Sequence, residues 1–372
     1  MMTELRLSLA LALAALTAGA AQAGNLTDPS YPLNANEQLY ADLFKLTPEE
    51  RHAKIVDGAK KEEKYEMIYG FSGKLGTDYA NIFKKTYPFV KFAGIFLGSN
   101  DSNPRILAEE KAGHHITDVL SGTGIMDTNQ GLEQGIFARY PTPASKKILP
   151  QYRTFADPHN RWLLNHWEER GMSYNAKLIK AMGVQPPRDW FDLCKPEFKG
   201  QFSFDPPRDS FLMYFDSMLG RKRFEELLDC MSKNDPIIIP GQSLRLTLML
   251  AGDHAIQGLN FFYRGTLLRD QQGEAKVPFV PVYTTPLMAN GNGCLINRNT
   301  PHPYSSALFC DWTMDDEPQN FIKSEYRGTV TLPHAFLPKE AELVTILPAP
   351  VEQGKPLFDL WNKYIGQTRT KG

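Results

Sequence analysis

The sequence lacks the charge excess and the long apolar run that would indicate binding to a polyanion or insertion in a membrane. Its 41 Lys and Arg residues are balanced by 42 Asp and Glu, so the formal net charge is −1 at pH 7. Duplex nucleic-acid binders and polybasic membrane-surface proteins need a strong positive excess. Both classes are therefore disfavoured, and we expect no nucleic-acid partner. Beyond the N-terminal segment, no stretch is apolar enough to span a bilayer.

Common catalytic and metal-binding motifs are also missing. The sequence has no H-E-x-x-H motif, and Gly241-Gln242-Ser243-Leu244 does not have the G-x-S-x-G form of serine hydrolases. The four cysteines lack C-x-x-C spacing, and neither His114-His115 nor His166 has the spacing of metal ligands. We expect no enzyme, no metal and no cofactor. An exported glycosidase with paired carboxylates stays open as a remote alternative.

The N-terminus has the composition of a secretory signal peptide. Arg6 precedes an apolar run from Leu7 to Leu16, and Ala21-Gln22-Ala23 has the A-x-A form that signal peptidase cleaves. A membrane anchor is the alternative, but Leu7 to Ala21 is about 15 residues and a spanning helix needs roughly 20. No cysteine lies near the cleavage point to carry a lipid. The sequence predicts a soluble periplasmic protein without a lipid anchor.

Export permits disulfide bonds between the four cysteines. Cys194 ends a turn and Cys230 ends an amphipathic helix shortly afterwards, so the two can meet. Two small buried hydrophobic side chains are an equally good interpretation of this pair. Cys294 lies on a predicted apolar strand and Cys310 on the helix behind it, and for these two we expect a core role.

Strand–loop–helix units succeed one another in the first third of the chain. The predicted strands are Tyr65–Tyr69, Val90–Leu97 and Asp118–Leu120, preceded by a helix with a capping box at Thr47-Pro48-Glu49-Glu50. Such units indicate a parallel sheet. The loops at the carboxyl ends of its strands favour anions and polar ligands. We predict a binding rim there, unless these side chains only satisfy turn hydrogen bonds: Ser72, Ser99, Asn100, Ser121 and Gly122.

A second series of α/β units begins after Trp162. Its predicted strands are Gln201–Phe204, Ile237–Ile239 and Ala255–Leu259, and each ends in a polar segment. Two such lobes place two rims opposite each other across a cleft, where small ligands usually bind. The fold class predicted is therefore α/β with two lobes.

The order of these features resembles the type II periplasmic solute-binding proteins of ABC importers, in the cluster that contains the ferric-ion-binding proteins. The resemblance extends from about Leu46 to the C-terminus. It rests on the capped helix leading into Lys60–Lys64, on Tyr87-Pro88, on Ile116–Val119, on Ser173–Leu178, on Trp190–Leu193 with Lys195–Gly200, and on Asn290–Trp312.

This resemblance implies two Rossmann-like lobes joined by a hinge, which close on one small solute and deliver it to an ABC permease in the inner membrane. We expect a monomer, and a periplasmic sensor subunit is an alternative. The expected division is a signal peptide at 1–23, an N-terminal extension and helix at 24–60, lobe 1 at 61–165 and 277–340, lobe 2 at 166–276, and a C-terminal helical segment at 341–372 packing on lobe 2.

Ferric iron is the ligand that the cluster suggests first, and it is retained as an alternative function. The ferric members hold the metal with a His, a Glu and a pair of Tyr residues. Carried over to this sequence, those positions fall near Gly73, near Thr123, and on Phe261 and Phe262, none of which supplies a matching ligand. Tyr263, one position further on, is a single tyrosine. The resemblance therefore does not favour iron.

The anion that accompanies iron in those proteins corresponds here to Arg208-Asp209-Ser210, Gln242-Ser243 and Asn260. Arg208 combines a guanidinium with a helix N-terminus, which suits a carboxylate or phosphate, and Phe261, Phe262 and Tyr263 offer apolar faces. We predict a small organic anion, phosphorylated or carboxylated, as the solute. The alternatives are an ion pair of Arg208 with Asp205 or Asp209, helix capping by Ser210 and Gln242, and a core position for Phe261 or Phe262.

Overall fold

The computed structural model describes residues 31–366 except 63, 70, 72, 98, 285, 335, 339 and 340. The predicted signal peptide and Ser72 lie outside the described residues. Among the residues described, no helix has both the length and the apolar character needed to cross a bilayer.

The N-terminal third alternates helices and short strands. Thr47 caps α2 as predicted, because its hydroxyl accepts the Glu50 N–H at 3.3 Å and the Glu50 carboxylate accepts the Thr47 N–H at 3.1 Å. A similar box of Asn34 and Glu37 starts a helix that the weakly periodic sequence before residue 47 does not predict. The elements are α1 (Ala35–Phe44), α2 (Pro48–Ala59), β1 (Tyr65–Tyr69), α3 (Gly73–Thr86), β2 (Phe92–Phe96), α4 (Ser99–Ala112), β3 (Val119–Gly124) and α5 (Asn129–Glu133).

The middle of the chain starts with the longest strand of the molecule. Its elements are β4 (Leu163–Asn175), α6 (Ala176–Met182), β5 (Phe202–Phe204), α7 (Asp209–Leu219), α8 (Arg221–Lys233), β6 (Ile237–Ile238), α9 (Gln242–Ala251), β7 (Ile256–Phe261), α10 (Phe262–Gln272) and β8 (Phe279–Val282). The last part contains β9 (Leu287–Ile296), α11 (Pro303–Trp312), α12 (Asp316–Ser324), β10 (Gly328–Thr329), β11 (Leu343–Val344) and α13 (Val351–Tyr364).

One mixed sheet connects the two halves of the molecule in the order β2-β1-β3-β9-β4-β7-β5-β6. The parallel pairing predicted from the sequence is correct at the two ends, where β1 pairs with β2 and β3, and β5 pairs with β6 and β7. For the middle of the sheet the sequence made no prediction of strand direction. There, β9 runs antiparallel to β3 and β4, and β4 runs antiparallel to β7. The reason is that the chain crosses the middle once in each direction.

Among the described residues, two large hydrophobic cores lie along these crossing strands, and a smaller third cluster contains Leu246, Phe262 and Phe279. The first core contains Tyr65, Phe83 and Trp312 among others, and β4 contributes Trp167 to it. The second core takes Met172 from the same strand, together with the aromatic side chains of β5 and α7. Helix α13 belongs to the second core, where the rings of Trp361 and Phe211 lie 5.3 Å apart. Strand β4 therefore contributes side chains to both cores.

Both cysteine pairs form disulfide bonds. Cys194 is bonded to Cys230, which is one of the two interpretations left open by the sequence. Cys294 and Cys310 are buried as expected but are bonded to each other, so their predicted role as simple core side chains is wrong. The cause is the packing of α11 on β9, which brings the two Cα atoms to 5.6 Å, within the usual range for a disulfide.

Reduction of the disulfides should destabilise the protein measurably. The Cys294–Cys310 bond closes a loop with a sequence separation of 16, and a bond of this kind contributes about 3 kcal/mol in the chain-entropy model. We expect denaturant unfolding with a thiol reductant to show that loss or more. The control is the Cys194→Ala/Cys230→Ala double variant, which keeps only the Cys294–Cys310 bond. Reductant without effect on either protein, with four thiols detected in the wild-type protein and two in the variant, would contradict this role.

Candidate functional site

The candidate site lies where β4 and β9 pass between the two cores. In their antiparallel register Glu168 is opposite Asn290 and Arg170 is opposite Met288. Side chains alternate between the two faces of a strand, so Glu168, Arg170 and Asn290 share one face of the sheet. All three are almost fully buried. This face of the sheet carries polar and charged groups and lies between two apolar cores.

Arg170 is a buried cation without a counter-ion in its contacts. It is 5% exposed, and the described residues offer it no hydrogen bond or ion pair. Its guanidinium lies 4.5 Å from the centroid of the Phe261 ring, and its buried Nε has no partner. Burial lowers the pKa of Arg170, the charge of Arg208 acts in the same direction, and Asp127 and Asp205 oppose it from a distance. An uncompensated buried charge is costly, so the site is suited to an anion.

Arg208 is the second cation of the site. It is the N-cap residue of α7, where its side chain makes no capping hydrogen bond, and within the described structure it has no ion pair. The ion pair with Asp205 considered from the sequence is wrong. Asp205 is instead bound to Arg245, with Nη2 and Oδ2 at 2.6 Å, and it also accepts the Gly241 N–H at 2.8 Å. Arg208 is therefore not neutralised by Asp205, and its charge acts on Arg170.

Arg245 shows what a buried arginine in a purely structural role looks like in this protein. It is 0% exposed, and besides the Asp205 ion pair it donates to the Gly258 carbonyl at 2.7 Å. Arg170 has the same degree of burial and none of these partners. The difference between the two marks Arg170 as the arginine that lacks its counter-ion.

Arg327 connects the two sides of the site. Its guanidinium forms an ion pair with Glu168 and lies over two rings, 3.8 Å from the Tyr263 centroid and 4.8 Å from that of Phe71. Phe71 belongs to the first core, and Tyr263 lies on α10. Burial lowers the pKa of Arg327 to about 9. This arginine has a carboxylate partner and two aromatic faces, and its buried Nε is without a hydrogen bond among the described residues.

Asp127 and Asn290 lie on either side of Gly124, at the end of β3. A Cβ atom at Gly124 would be 3.1 Å from Asp127 Oδ2 and 3.1 Å from Asn290 Nδ2. Only the backbone carbonyls of these two residues accept hydrogen bonds, Asp127 from Asn103 and Asn290 from Asn292 at 3.1 Å. Their side chains have no hydrogen-bond partner among the described residues. Both side chains therefore lie close to Gly124, where a larger residue would push against them.

The structure brings only some of the predicted binding residues to this site. The charge of Arg208 acts on Arg170, and Tyr263 packs on Arg327. Ser210 is buried in the first turn of α7, with no partner for its hydroxyl in the described structure. Gly122 lies at an irregularity of β3 with a φ of 69°. Ser99, Asn100 and Asp209 begin helices α4 and α7, and the position of their side chains lies outside what is described.

Three predicted residues are engaged in internal hydrogen bonds. The Ser121 hydroxyl accepts from Asn165 Nδ2 at 3.3 Å. Gln242 donates to the Phe261 carbonyl at 3.0 Å, which ties the start of α9 to the end of β7. The Asn260 amide and the Ser173 hydroxyl are 3.1 Å apart. Of the two phenylalanines, Phe262 is buried in the core and Phe261 faces Arg170.

Four residues of the site are not among those predicted: Asp127, Arg170, Asn290 and Arg327. For Arg170 the signal is its sequence context. The segment His166–Met172 contains Glu168-Glu169-Arg170 between residues of a strand that is buried throughout. A run of charges usually indicates a solvated surface, and only its position in a central strand shows that these charges face an interior site.

The positions that correspond to ferric ligands do not form a metal site here. Within the part of the chain that is described, no group of three or more His, Cys, Asp or Glu side chains is arranged to hold a metal ion. Burial raises the pKa of the Tyr263 hydroxyl, which disfavours the phenolate that a ferric ion requires. Its ring is also packed against Arg327.

This architecture is that of the type II periplasmic binding proteins. The chain is similar to the periplasmic binding protein P5PA, with a TM-score of 0.70, 21% identity, and 82% of this chain and 100% of that chain covered. AfuA from Actinobacillus pleuropneumoniae, with exogenous fructose-6-phosphate bound, is similar with a TM-score of 0.70 and 19% identity, and the match covers 82% of this chain and 99% of AfuA. Iron-bound HitA from Pseudomonas aeruginosa is similar with a TM-score of 0.67 and 17% identity, and the match covers 80% of this chain and 99% of HitA. At these identities the likeness shows the fold.

One family model matches part of the sequence. Residues 128–270, fewer than half of the 372, match the model of the bacterial extracellular solute-binding proteins. This segment is similar to that family, and the solved structures that the chain resembles are periplasmic binding proteins. The family consists of binding proteins rather than enzymes. No curated protein sequence matches the chain significantly.

Proposed function

We propose that this protein captures a small organic anion, phosphorylated or carboxylated, and delivers it to its permease. The observation that carries the proposal is Arg170, which is almost wholly buried, contacts the Phe261 ring and has no ion pair or hydrogen bond among the described residues. Arg208, also without an ion pair there, adds a second positive charge that acts on Arg170, and an anion near both charges would be stabilised. Guanidinium groups bind carboxylate and phosphate oxygens with paired hydrogen bonds.

The nature of the fold's other ligands is consistent with this proposal. The structure of AfuA contains fructose-6-phosphate, an organic phosphate ester. HitA contains iron, for which the donor set around Tyr263 is poorly suited. An anionic solute therefore fits the side chains of this chain better than a ferric ion, which is the second candidate function.

The remaining parts of the proposal concern export and movement. We infer that Met1 to Ala23 directs the chain to the periplasm, where it acts as a monomer without a lipid anchor or cofactor. The first and second cores are the interiors of the two lobes, with lobe 1 at 61–165 and 277–340 and lobe 2 at 166–276. Strands β4 and β9 form the hinge between them, and the lobes close on the solute.

Thermal unfolding with a panel of compounds tests the ligand class. A ligand that binds only the folded protein at 100 times its Kd adds about 2.7 kcal/mol to stability. We expect phosphate esters or carboxylates to raise Tm, and neutral sugars, polyamines and ferric salts not to do so. Increasing the salt concentration should reduce the shift, because ions screen the attraction between the arginines and the anion. A shift with ferric salts alone, accompanied by a visible charge-transfer colour, would replace the anion by iron.

A further inference from the structure

Tyr326 has a backbone conformation that tyrosine rarely adopts. It follows α12 with a φ of 59°, in the left-handed region where residues other than glycine are uncommon. Its N–H donates to the Lys323 carbonyl at 3.1 Å, and the Arg327 N–H donates to the Ile322 carbonyl at 3.3 Å. This is the Schellman pattern at the end of a helix, in which glycine is the usual residue because a side chain is strained there. A tyrosine at this position therefore indicates a role for its side chain.

The Tyr326 side chain connects elements that pack on different cores. Its hydroxyl donates a hydrogen bond to the Asp270 carboxylate. Asp270 lies on α10, which directly follows β7, and Ile256 of β7 belongs to the second core. Tyr326 follows α12, whose Ile322 belongs to the first core. In the described structure the Asp270 carboxylate otherwise lies 3.8 Å from Arg269 Nε, on its own helix.

Two further contacts hold the turn after α12 in place. The Tyr326 ring packs on that of Phe336, with the centroids 4.5 Å apart. The next residue, Arg327, lies over the ring of Tyr263, which is also on α10. Tyr263 and Asp270 are seven positions apart in the sequence, about two helical turns, so they share one face of α10. Consecutive residues of the turn therefore contact the same face of this helix.

We propose that the Tyr326–Asp270 hydrogen bond is an interlobe contact that stabilises the closed arrangement, in which the two lobes lie together. This inference rests on the lobe movement in the proposed function. Opening moves α12, which packs on the first core, away from α10, which follows a strand of the second, so the hydrogen bond breaks. Its free energy therefore favours the closed arrangement before any solute binds, and the solute has less of that free energy to supply.

Single-molecule FRET without any ligand tests this contact. The four native cysteines form disulfide bonds, so dyes attach only to two introduced thiols, Asp101→Cys in α4 and Ser243→Cys in α9. Both residues are exposed, and their helices follow the two edge strands of the sheet, β2 and β6. The distance between the dyes therefore reports the relative position of the lobes.

Tyr326→Phe removes the hydroxyl and keeps the ring that packs on Phe336. We expect the ratio of molecules with widely separated dyes to molecules with close dyes to rise about 3- to 10-fold, as for the loss of one hydrogen bond exposed to water. Asp270→Ala should raise the ratio to the same extent. The double variant Tyr326→Phe/Asp270→Ala should raise it no further, because both changes remove the same bond.

Tyr364→Phe is the matched control. The Tyr364 hydroxyl donates to Glu225 Oε1 at 2.9 Å, but this bond joins α13 to α8, which both pack on the second core, so the ratio should stay at the wild-type value. An unchanged ratio in Tyr326→Phe, an equal rise in Tyr364→Phe or additive rises in the double variant would overturn the interlobe contact and leave anion binding intact. Failure of every anion to raise Tm would instead overturn the proposed ligand class and leave this contact standing.

Discussion

Replacing Arg170 by methionine should stabilise the free protein and abolish ligand binding. The free protein gains because an uncompensated buried charge is removed, and replacing buried charge by apolar side chains of similar volume typically contributes about 1–4 kcal/mol. Binding is lost because removing one partner of a buried charge pair costs about 3–5 kcal/mol, which weakens affinity by a factor of roughly 10² to 4 × 10³. Denaturant unfolding and calorimetry with a ligand from the panel measure the two effects.

The matched control is Arg245→Met. Arg245 is buried to the same extent but is bound to Asp205 and to the Gly258 carbonyl. Its removal leaves the Asp205 carboxylate buried without its cation, so the free energy of unfolding should fall by about 3–5 kcal/mol. Opposite changes in stability for two buried arginines would distinguish a ligand-binding arginine from a structural one. A loss of stability in Arg170→Met as large as in Arg245→Met would show that Arg170 is structural.

Replacing Arg327 by methionine should give the second large effect, a loss of stability. Glu168 is almost fully buried and has its ion pair with Arg327. Without that partner its charge is uncompensated, and we expect a cost of about 3–5 kcal/mol in chemical unfolding. Contacts with the Phe71 and Tyr263 rings are reduced as well.

A second variant separates the charge effect from the loss of packing. In the double variant Arg327→Met/Glu168→Gln the buried carboxylate is replaced by a neutral amide, so most of the lost stability should return. If the double variant regained none of the stability lost in Arg327→Met, the ring contacts of Arg327 and not its ion pair would be what stabilises this region. Arg264→Met, at an exposed arginine of α10, should change stability little.

Local signals in the sequence predict much of the fold. The capping box at Thr47 and the alternation of short strands with polar loops predict α2 and the parallel ends of the sheet. The antiparallel centre is not predictable in this way, because the direction in which β4 and β9 cross the sheet depends on contacts between residues more than 100 positions apart. For the same reason the Cys294–Cys310 bond depends on how α11 packs on β9.

The site was predictable only where a loop feature marked it. Arg208 has a recognisable context, a strand-to-helix turn, and it lies at the site. Arg170 and Asn290 have no such context, since they belong to strands whose register alone places them on one face. Asp127 follows β3 in a short helical turn, and its position close to Asn290 depends on the missing side chain of Gly124. Which residues face each other across two strands, and which side chains lack a hydrogen-bond partner, are properties of the folded chain and do not show in the sequence.

The continuity of β4 and β9 between the two cores has a mechanical consequence. Two adjacent strands that remain hydrogen-bonded along their register resist bending. A pair of loops without such hydrogen bonds would bend freely in any direction. Bending such a ribbon mainly changes its twist. In the closure proposed above, the backbone of these two strands would set the direction of movement, and little chain entropy would be lost. The free energy of ligand contact is then available for affinity rather than for ordering a linker.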